Sequence, residues 1–383
     1  MIPPPAQLAR PLTALRGNDR PAVGGKAASL GELTAAGIPV PAGFAVTTAA
    51  YRQAVAALDP DGALGGQIGR LDPADRAGIA AVTAWVREAI LATPMPADVR
   101  DAITTGYQAL AGEDGRGAPV AVRSSATIED SESASFAGLG DTYLWVRGED
   151  AVADHVRYCW ASLYSVESVT YRRHQGVPER GLAMGVVVQL MVDPRCAGVM
   201  FTRSPVTGDT SVIVIEASWG LGSALVSGDV TPDSYVVSKV TGEIVKRTVA
   251  SKPRQHERDP AGAGVRVAEV PAELRDVPCL ADAEILALAD LGRRVSEHYG
   301  APQDIEWAIT GAGTATEAGP GADPEAGPAA AIEADAGAGR RIVLLQSRPE
   351  TVWSHRAAAP VAAPKPRAFD HVLERLRVPG TDR

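Results

Sequence analysis

Two runs near the C-terminus, QDIEWAI (Gln303 to Ile309) and RIVLLQSRPETVW (Arg341 to Trp353), alternate apolar and polar residues and read as neighbouring strands. They constrain the chain more than any other feature, because pairing them brings Glu306, Gln346 and Arg348 onto adjacent strands. A carboxylate, an amide oxygen and a guanidinium so placed can hold a hard cation and a polyphosphate together, since Mg²⁺ takes oxygen ligands and shares them with nucleotide phosphates. The plainer reading is a cross-strand pair with a charged neighbour. The segment between the strands, Gly311 to Gly339, is built of Ala, Gly, Pro, Thr, Glu and Asp with the single Ile332. It has too little apolar content for a core and is expected to be a surface insertion in a hairpin loop.

The rest of the chain supplies enough material for two lobes. Of 383 residues, 45% are hydrophobic, which suits a substantial core. Gly24 to Gly37 reads as a Gly pair opening a helix, with Leu30 and Leu33 on one face and Gly37 as its stop. GFAVTT (Gly43 to Thr48) alternates like a strand, and helices are expected from Pro73 to Leu91, with Ile79, Val82, Val86 and Ile90 on one stripe, and from Ala97 to Ala111. APVAVRSSA (Ala118 to Ala126) reads as a strand running into a Ser-rich turn, DTYLWV (Asp141 to Val146) as its partner, and Asp150 to Arg173 as helix. From GVVVQLMV (Gly185 to Val192) onward come short β-branched runs, AGVMFT, SVIVIEA and DSYVVS, parted by Gly and Pro turns. The Ala/Pro stretch Ala357 to Pro366 reads as a linker, and Phe369 to Leu376 as a short amphipathic helix.

Composition excludes several classes. A formal charge of −9 lacks the basic balance of a general nucleic-acid binder. No apolar run approaches the roughly 18 to 20 residues of a membrane helix, and the Pro-rich start has no secretory pattern, so a cytoplasmic protein with no membrane partner is expected. Cys159, Cys196 and Cys279 are widely separated and form no CxxC pair, which argues against a disulfide framework or a zinc site.

Other polar groups suit phosphate. Lys26 follows two glycines at a helix start, where a point charge and main-chain N–H groups can meet an anion; an ordinary solvated lysine is the alternative. Arg123 ends an apolar strand and can reach into a cleft, or can simply pair with Glu129 or Asp130. The loop Ser133 to Thr142 and the loop SWGLGSALVSGDVTPD (Ser218 to Asp233) are rich in small residues that let a backbone approach phosphate, and each is equally a plain turn. Gln189, in a half-buried strand, sits where main-chain groups can meet a neutral base.

Taken together in their order, VGGKAASLGEL (Val23 to Leu33), VPAGFAVTTAAY (Val40 to Tyr51), VAVRSSATIEDSESASFAGLGDTYL (Val120 to Leu144), AGVMFTRSPVTGD (Ala197 to Asp209), the Gly-rich loop at Ser218 and QDIEWAI…VLLQSRPETV resemble the ATP-grasp nucleotide-binding part of phosphoenolpyruvate synthase, pyruvate phosphate dikinase and rifampicin phosphotransferase. The resemblance runs from about residue 15 to 355. It implies an α+β, two-lobed ATP-grasp fold with a Pro/Ala-rich C-terminal tail, the first lobe over residues 1–190 and a β-rich second lobe over 191–355. It further implies ATP and Mg²⁺ as cofactors. Lys26 and Arg123 would contact the triphosphate, Gly138 and Thr142 would belong to a phosphate-covering loop, and Gln189, Met191 and Val192 would hold the adenine. Glu306 and Gln346 would bind the metal, and Arg348 would stabilise the transferring group, with Arg123 and Lys26 also catalytic. The family pattern commonly has glutamines where this chain has Leu139 and Gly140.

Members of that family pass phosphate from ATP to a histidine in a TSGG-type context, leaving AMP and phosphate. His155, His174, His256, His298, His355 and His371 lack that context. The resemblance therefore implies a kinase or phosphotransferase whose phospho-accepting histidine lies on a separate polypeptide; the alternative is a non-catalytic ATP-binding sensor.

Overall fold

The computed structural model describes residues 8–56, 58–59, 63–110, 117–127, 141–179, 181–262, 264–310 and 341–353. Gly138, the insertion Gly311 to Gly339 and the tail from Ala357 lie outside them.

The first sheet holds β1 (Ala9–Pro11), β2 (Gly43–Val46), β3 (Val120–Ala126), β4 (Thr142–Val146) and β5 (Met184–Leu190) in the order β1-β2-β5-β3-β4, each neighbour antiparallel. Strands β3 and β5 are covered on both faces, which is why β5 is a nearly continuous apolar run, while β3 turns polar after Val122. Val122, Val186 and Val188 point into a core with the helices Arg76–Ala92, Ala97–Gln108, Glu149–Ser162 and Val166–His174. Val187 and Ala45, one residue out of phase, face the opposite way and pack on the helix Gly25–Ala35. Register pairs Arg123 with Val187 and Ala121 with Gln189, so these residues share that second face.

The second sheet follows with β6 (Pro194–Phe201), β7 (Val212–Trp219), β8 (Asp233–Ser238), β9 (Ile244–Thr248), the separate hairpin β10 (Arg254–Arg258) and β11 (Val265–Glu269), then β12 (Gln303–Thr310) and β13 (Ile342–Pro349). Six strands run β13-β12-β6-β7-β8-β9. Their alternation is strict: Ile213, Ile215, Ile305, Trp307 and Ile309 bury against Ile285, Leu288 and Val295 of the helix Asp282–Tyr299. The intervening residues, Asp304 and Glu306 among them, face the other way. A fully buried pair ties this lobe together, with Lys252 Nζ 2.6 Å from Asp233 Oδ1. The same carboxylate accepts from the N–H groups of Ala250 and Cys279 at 3.0 and 2.9 Å.

Several expectations need amendment. Ser124 and Ser125 lie inside β3, not in a turn. The helix expected over Asp150 to Arg173 is two, broken at Leu163–Ser165, where Ser165 caps the second by accepting from Ser168 N at 3.1 Å. Strands β9, β10 and β11 are short and mostly exposed, with only Ile244 and Val265 packing on a core, so no extended periodicity announces them. The helix Gly25–Ala35 belongs to both lobes: Leu30 joins the first-lobe packing, while Leu33 and nearby Ile38 enter the second core. Leu344 N donates to Pro39 O at 2.8 Å, and Ser29 Oγ to Ser347 O at 2.7 Å.

Strands β12 and β13 close at the pair Ile309↔Ile342, extended by Thr310 N donating to Arg341 O at 3.0 Å. Two strand ends so close can be joined by a tight turn. Replacing Gly311 to Gly339 by Asn-Gly is expected to leave the unfolding free energy within about 1 kcal/mol of the parent, because loop length carries only a slowly varying entropy. Urea titration of both proteins measures this, and a loss of several kcal/mol would contradict it.

Candidate functional site between the lobes

Arg123 crosses from the first sheet to the second. Its Nη1 donates to Leu345 O at 2.6 Å, and its Nη2 to Glu306 Oε2 at 2.9 Å and Gln346 Oε1 at 3.0 Å. The fork fits because β12 and β13 are bulged: Glu306 pairs with Gln346 but Trp307 with Leu344, leaving Leu345 as the extra residue. That residue supplies the carbonyl. Arg123 is 8% exposed and its Nε has no partner. Its charge is therefore met by one carboxylate and two neutral oxygens in a partly desolvated setting, where charge-assisted hydrogen bonds are strong.

Lys26 is not a solvated lysine. It is 5% exposed, and its Nζ donates to Ser124 O at 2.8 Å, beside the strand residue that bears the arginine. Gly24 makes the approach possible: its φ is +81°, and a Cβ there would stand 1.8 Å from Ser125 O. Ala27 N also donates to Ser125 Oγ at 3.0 Å, which fixes the helix start on β3.

A cleft of about 200 Å³ lies between the sheets. Arg123, Thr142 and Glu306 line its polar end; Ala121, Leu144, Met191, Val192, Leu221 and Val226 line the rest. Gln189 borders it as well, but its amide is engaged, Nε2 donating to Pro41 O at 3.0 Å. Met191 N likewise donates to Pro119 O at 2.9 Å. Gln346 joins through its bond to Arg123. Lys26 and Arg348 do not line the cleft. Arg348 stands opposite Asp304, with Nε 3.5 Å from Oδ2.

Asp304 and Glu216 are carboxylates that sequence reasoning passed over. Burial pushes the Asp304 carboxyl up to about 6, although Arg348 opposes the shift, and its Oδ1 has no hydrogen-bond partner. Glu216 lies in the row Gln346–Glu306–Val199–Glu216 across the sheet, and burial raises its carboxyl too. The signal for both was the two-residue alternation in QDIEWAI and SVIVIEA, which puts the acidic residues on the face away from the isoleucines. Residues Leu221 to Ser223 of the Gly-rich loop also line the cleft.

Oxygen donors for a cation are present in a usable arrangement. Glu306 Oε2 and Gln346 Oε1 converge on a single point, the Nη2 atom of Arg123, as two ligands of one hard ion must. Among the described residues no group of three His, Cys, Asp or Glu forms a metal cluster, and no helix is long and apolar enough to cross a membrane. The donor set thus suits a cation completed by phosphate and water.

The family model for pyruvate phosphate dikinase, AMP/ATP-binding domain, matches residues 20–368. The chain belongs to this family. As a member of the pyruvate phosphate dikinase AMP/ATP-binding domain family it has the ATP-grasp architecture. It is 46% identical over 287 residues to a probable phosphoenolpyruvate synthase of Methanothermobacter thermautotrophicus, covering 75% of this chain and 42% of that protein. It is 46% identical over 288 residues to a rifampicin phosphotransferase of a Streptomyces species, covering 75% and 32%. A phosphoenolpyruvate synthase of Aeropyrum pernix is 38% identical over 374 residues, covering 90% and 42%. The chain thus spans less than half the length of these relatives.

The raised Glu216 carboxyl has a pH consequence. A carboxyl whose folded pKa exceeds its unfolded value of about 4.3 penalises the native state above that raised pKa, and the penalty fades as pH falls toward 4. Glu216→Gln should therefore be more stable than the parent at pH 7, with the gain shrinking toward pH 4. Urea unfolding at the two pH values tests this; an equal gain at both would refute the assignment of the shift.

Proposed function

We propose that the cleft binds ATP with Mg²⁺ and that the protein is the nucleotide-using module of a phosphotransferase. The observation carrying this reading is the convergence of Arg123, Glu306 and Gln346 between the two lobes in a chain of this family. The polar end suits the triphosphate and the apolar end the nucleoside, a common division in nucleotide clefts. Glu306 and Gln346 would hold the metal, which supplies charge neutralisation to the phosphates. Arg123 would then turn its fork to phosphate oxygens, and Lys26, Arg348, Thr142 and Gly138 would complete the polar cradle, while Gln189, Met191 and Val192 border the base.

The reaction we infer is attack by an imidazole nitrogen on the β-phosphorus of ATP. A nitrogen–phosphorus bond forms, the bond to the α-phosphate oxygen breaks, and AMP leaves; hydrolysis of the pyrophosphoryl-histidine then releases phosphate. Arg123 and Arg348 bear on the charge of the transferring group and Lys26 on its orientation, as fixed cations do in phosphoryl transfer. None of the described histidines lines the cleft: His155 Nδ1 bonds Ala151 O at 2.7 Å, and His298 pairs with Glu32 at 2.9 Å. We accordingly propose that the acceptor histidine lies outside the two lobes, on a further domain or on a separate polypeptide, in a cytoplasmic setting where ATP is abundant. The final acceptor, as the relatives' names illustrate, can be a small metabolite or an antibiotic.

Two measurements test the proposal. In calorimetry, Glu306→Gln should weaken Mg²⁺–ATP binding far more than binding of metal-free ATP; equal losses would remove Glu306 from the metal site. With ATP, Mg²⁺ and a His-domain protein, the chain should produce AMP and a phosphohistidine on that partner. Arg123→Ala and Arg348→Ala should each slow this by about 10²-fold or more. AMP formed with label on one of the chain's own histidines would overturn transfer between polypeptides, and Mg²⁺–ATP binding without any transfer would favour a sensor.

A further inference from the structure

A chain of three polar side chains starts at the lining of the cleft and has no part in the binding scheme proposed for it. Ser223, on the Gly-rich loop, lines the cleft, and its Oγ lies 2.9 Å from His256 Nδ1 on β10. His256 Nε2 lies 3.2 Å from Asp229 Oδ2, a contact outside hydrogen-bond geometry. Ser227 Oγ steadies the same carboxylate oxygen at 2.5 Å. The imidazole is mostly enclosed, and Asp229 is the solvent-facing end of the series.

The backbone holds this arrangement in place. Leu221 N donates to His256 O at 2.8 Å, and Gly220 and His256 form a β-bridge. Gly220 has φ +69°, and a Cβ on it would stand 2.4 Å from His256 O, so loop and hairpin can meet this closely only at glycine. On the cleft side Leu221 packs with Ala121, Trp145 and Met191 as an apolar wall. Two residues further on, Ser223 is a side-chain hydroxyl within an otherwise apolar stretch of lining that includes Leu221 and Val226.

The neighbours decide which way the hydroxyl hydrogen points. A carboxylate beside Nε2 favours the tautomer with its proton on that nitrogen, leaving Nδ1 as an acceptor. Nδ1 then takes the Ser223 O–H, which leaves the lone pairs of the oxygen on this lining residue free to accept. We propose that Ser223 reads the nucleoside by accepting a hydrogen bond from one of its donor groups, with His256 as the positioning residue that fixes its polarity. Two donors of a purine nucleoside have this chemistry, the exocyclic amine and a ribose hydroxyl. The inference rests on the proposal that the cleft binds ATP.

The test is calorimetry on the full chain with Mg²⁺ and four ligands: ATP, purine riboside triphosphate, which lacks the amine, and the 2′-deoxy and 3′-deoxy forms of ATP. The parent should bind at least one of the three analogues about three- to tenfold more weakly than ATP, the range of one net hydrogen bond. Ser223→Ala should lose that same factor on ATP and erase the penalty for that analogue alone, which names the donor. His256→Phe should do likewise, while His256→Gln, whose amide oxygen can take the serine hydroxyl, should retain discrimination. Loss of affinity by one common factor for all four ligands in Ser223→Ala, or no change for any, would overturn the inference while leaving ATP binding intact. Failure of the parent to bind Mg²⁺–ATP would overturn the cleft assignment itself.

Discussion

The Arg123 guanidinium leaves the first sheet and ends among three oxygens of the second, belonging to Leu345, Glu306 and Gln346. Those oxygens stand close together on one sheet, and a carboxylate with two neutral acceptors around it is poorly stable in a half-buried place unless a cation shares it. Arg123 is that cation here. Its own burial is tolerable for the same reason, since an enclosed guanidinium needs partners on its fork. The mutual need of donor and acceptors joins the lobes at the point where their faces approach, and it sets the polar end of the cleft.

The bulge between Glu306 and Trp307 makes this geometry available. In a regular ladder every carbonyl of β13 facing β12 would be paired along the sheet. The extra residue releases one carbonyl outward and brings Glu306 directly opposite Gln346. Beyond the bulge Trp307 returns to the core, so the hydrophobic alternation is kept while the polar face gains a turn.

Much of this was legible in the chain. The strands with apolar alternation, such as Ile213 to Ile215 and Ile305 to Ile309, are recoverable because burial of one face writes itself into every second residue. The amphipathic helices before β3 follow the same logic at a longer period, and the motif order led to the family that the comparison bears out. Strands β9 to β11 were hidden because they are five residues each and mostly exposed, and so bury too little to signal. The partner of Arg123 was hidden for a different reason: Glu306 is 183 positions away, and no local spacing expresses a contact between lobes. Asp304 and Glu216 were within reach of the alternation argument once their strands were accepted. The His256 connection was not, since it depends on where a polar hairpin crosses a glycine loop.

The helix Gly25–Ala35 lends Leu30 to one core and Leu33, through the turn to Ile38, to the other. The second-lobe cluster is therefore not complete from its own contiguous stretch of chain, whereas the first-lobe clusters draw only on residues up to Leu190. A polypeptide cut after Leu190 would separate the six-stranded sheet from two of its buried apolar residues and from the Pro39 carbonyl that Leu344 uses. The severed halves would each present an unfinished surface fitted to the other, and they would regain structure by reassociating as complementary fragments, not as two independent folding units.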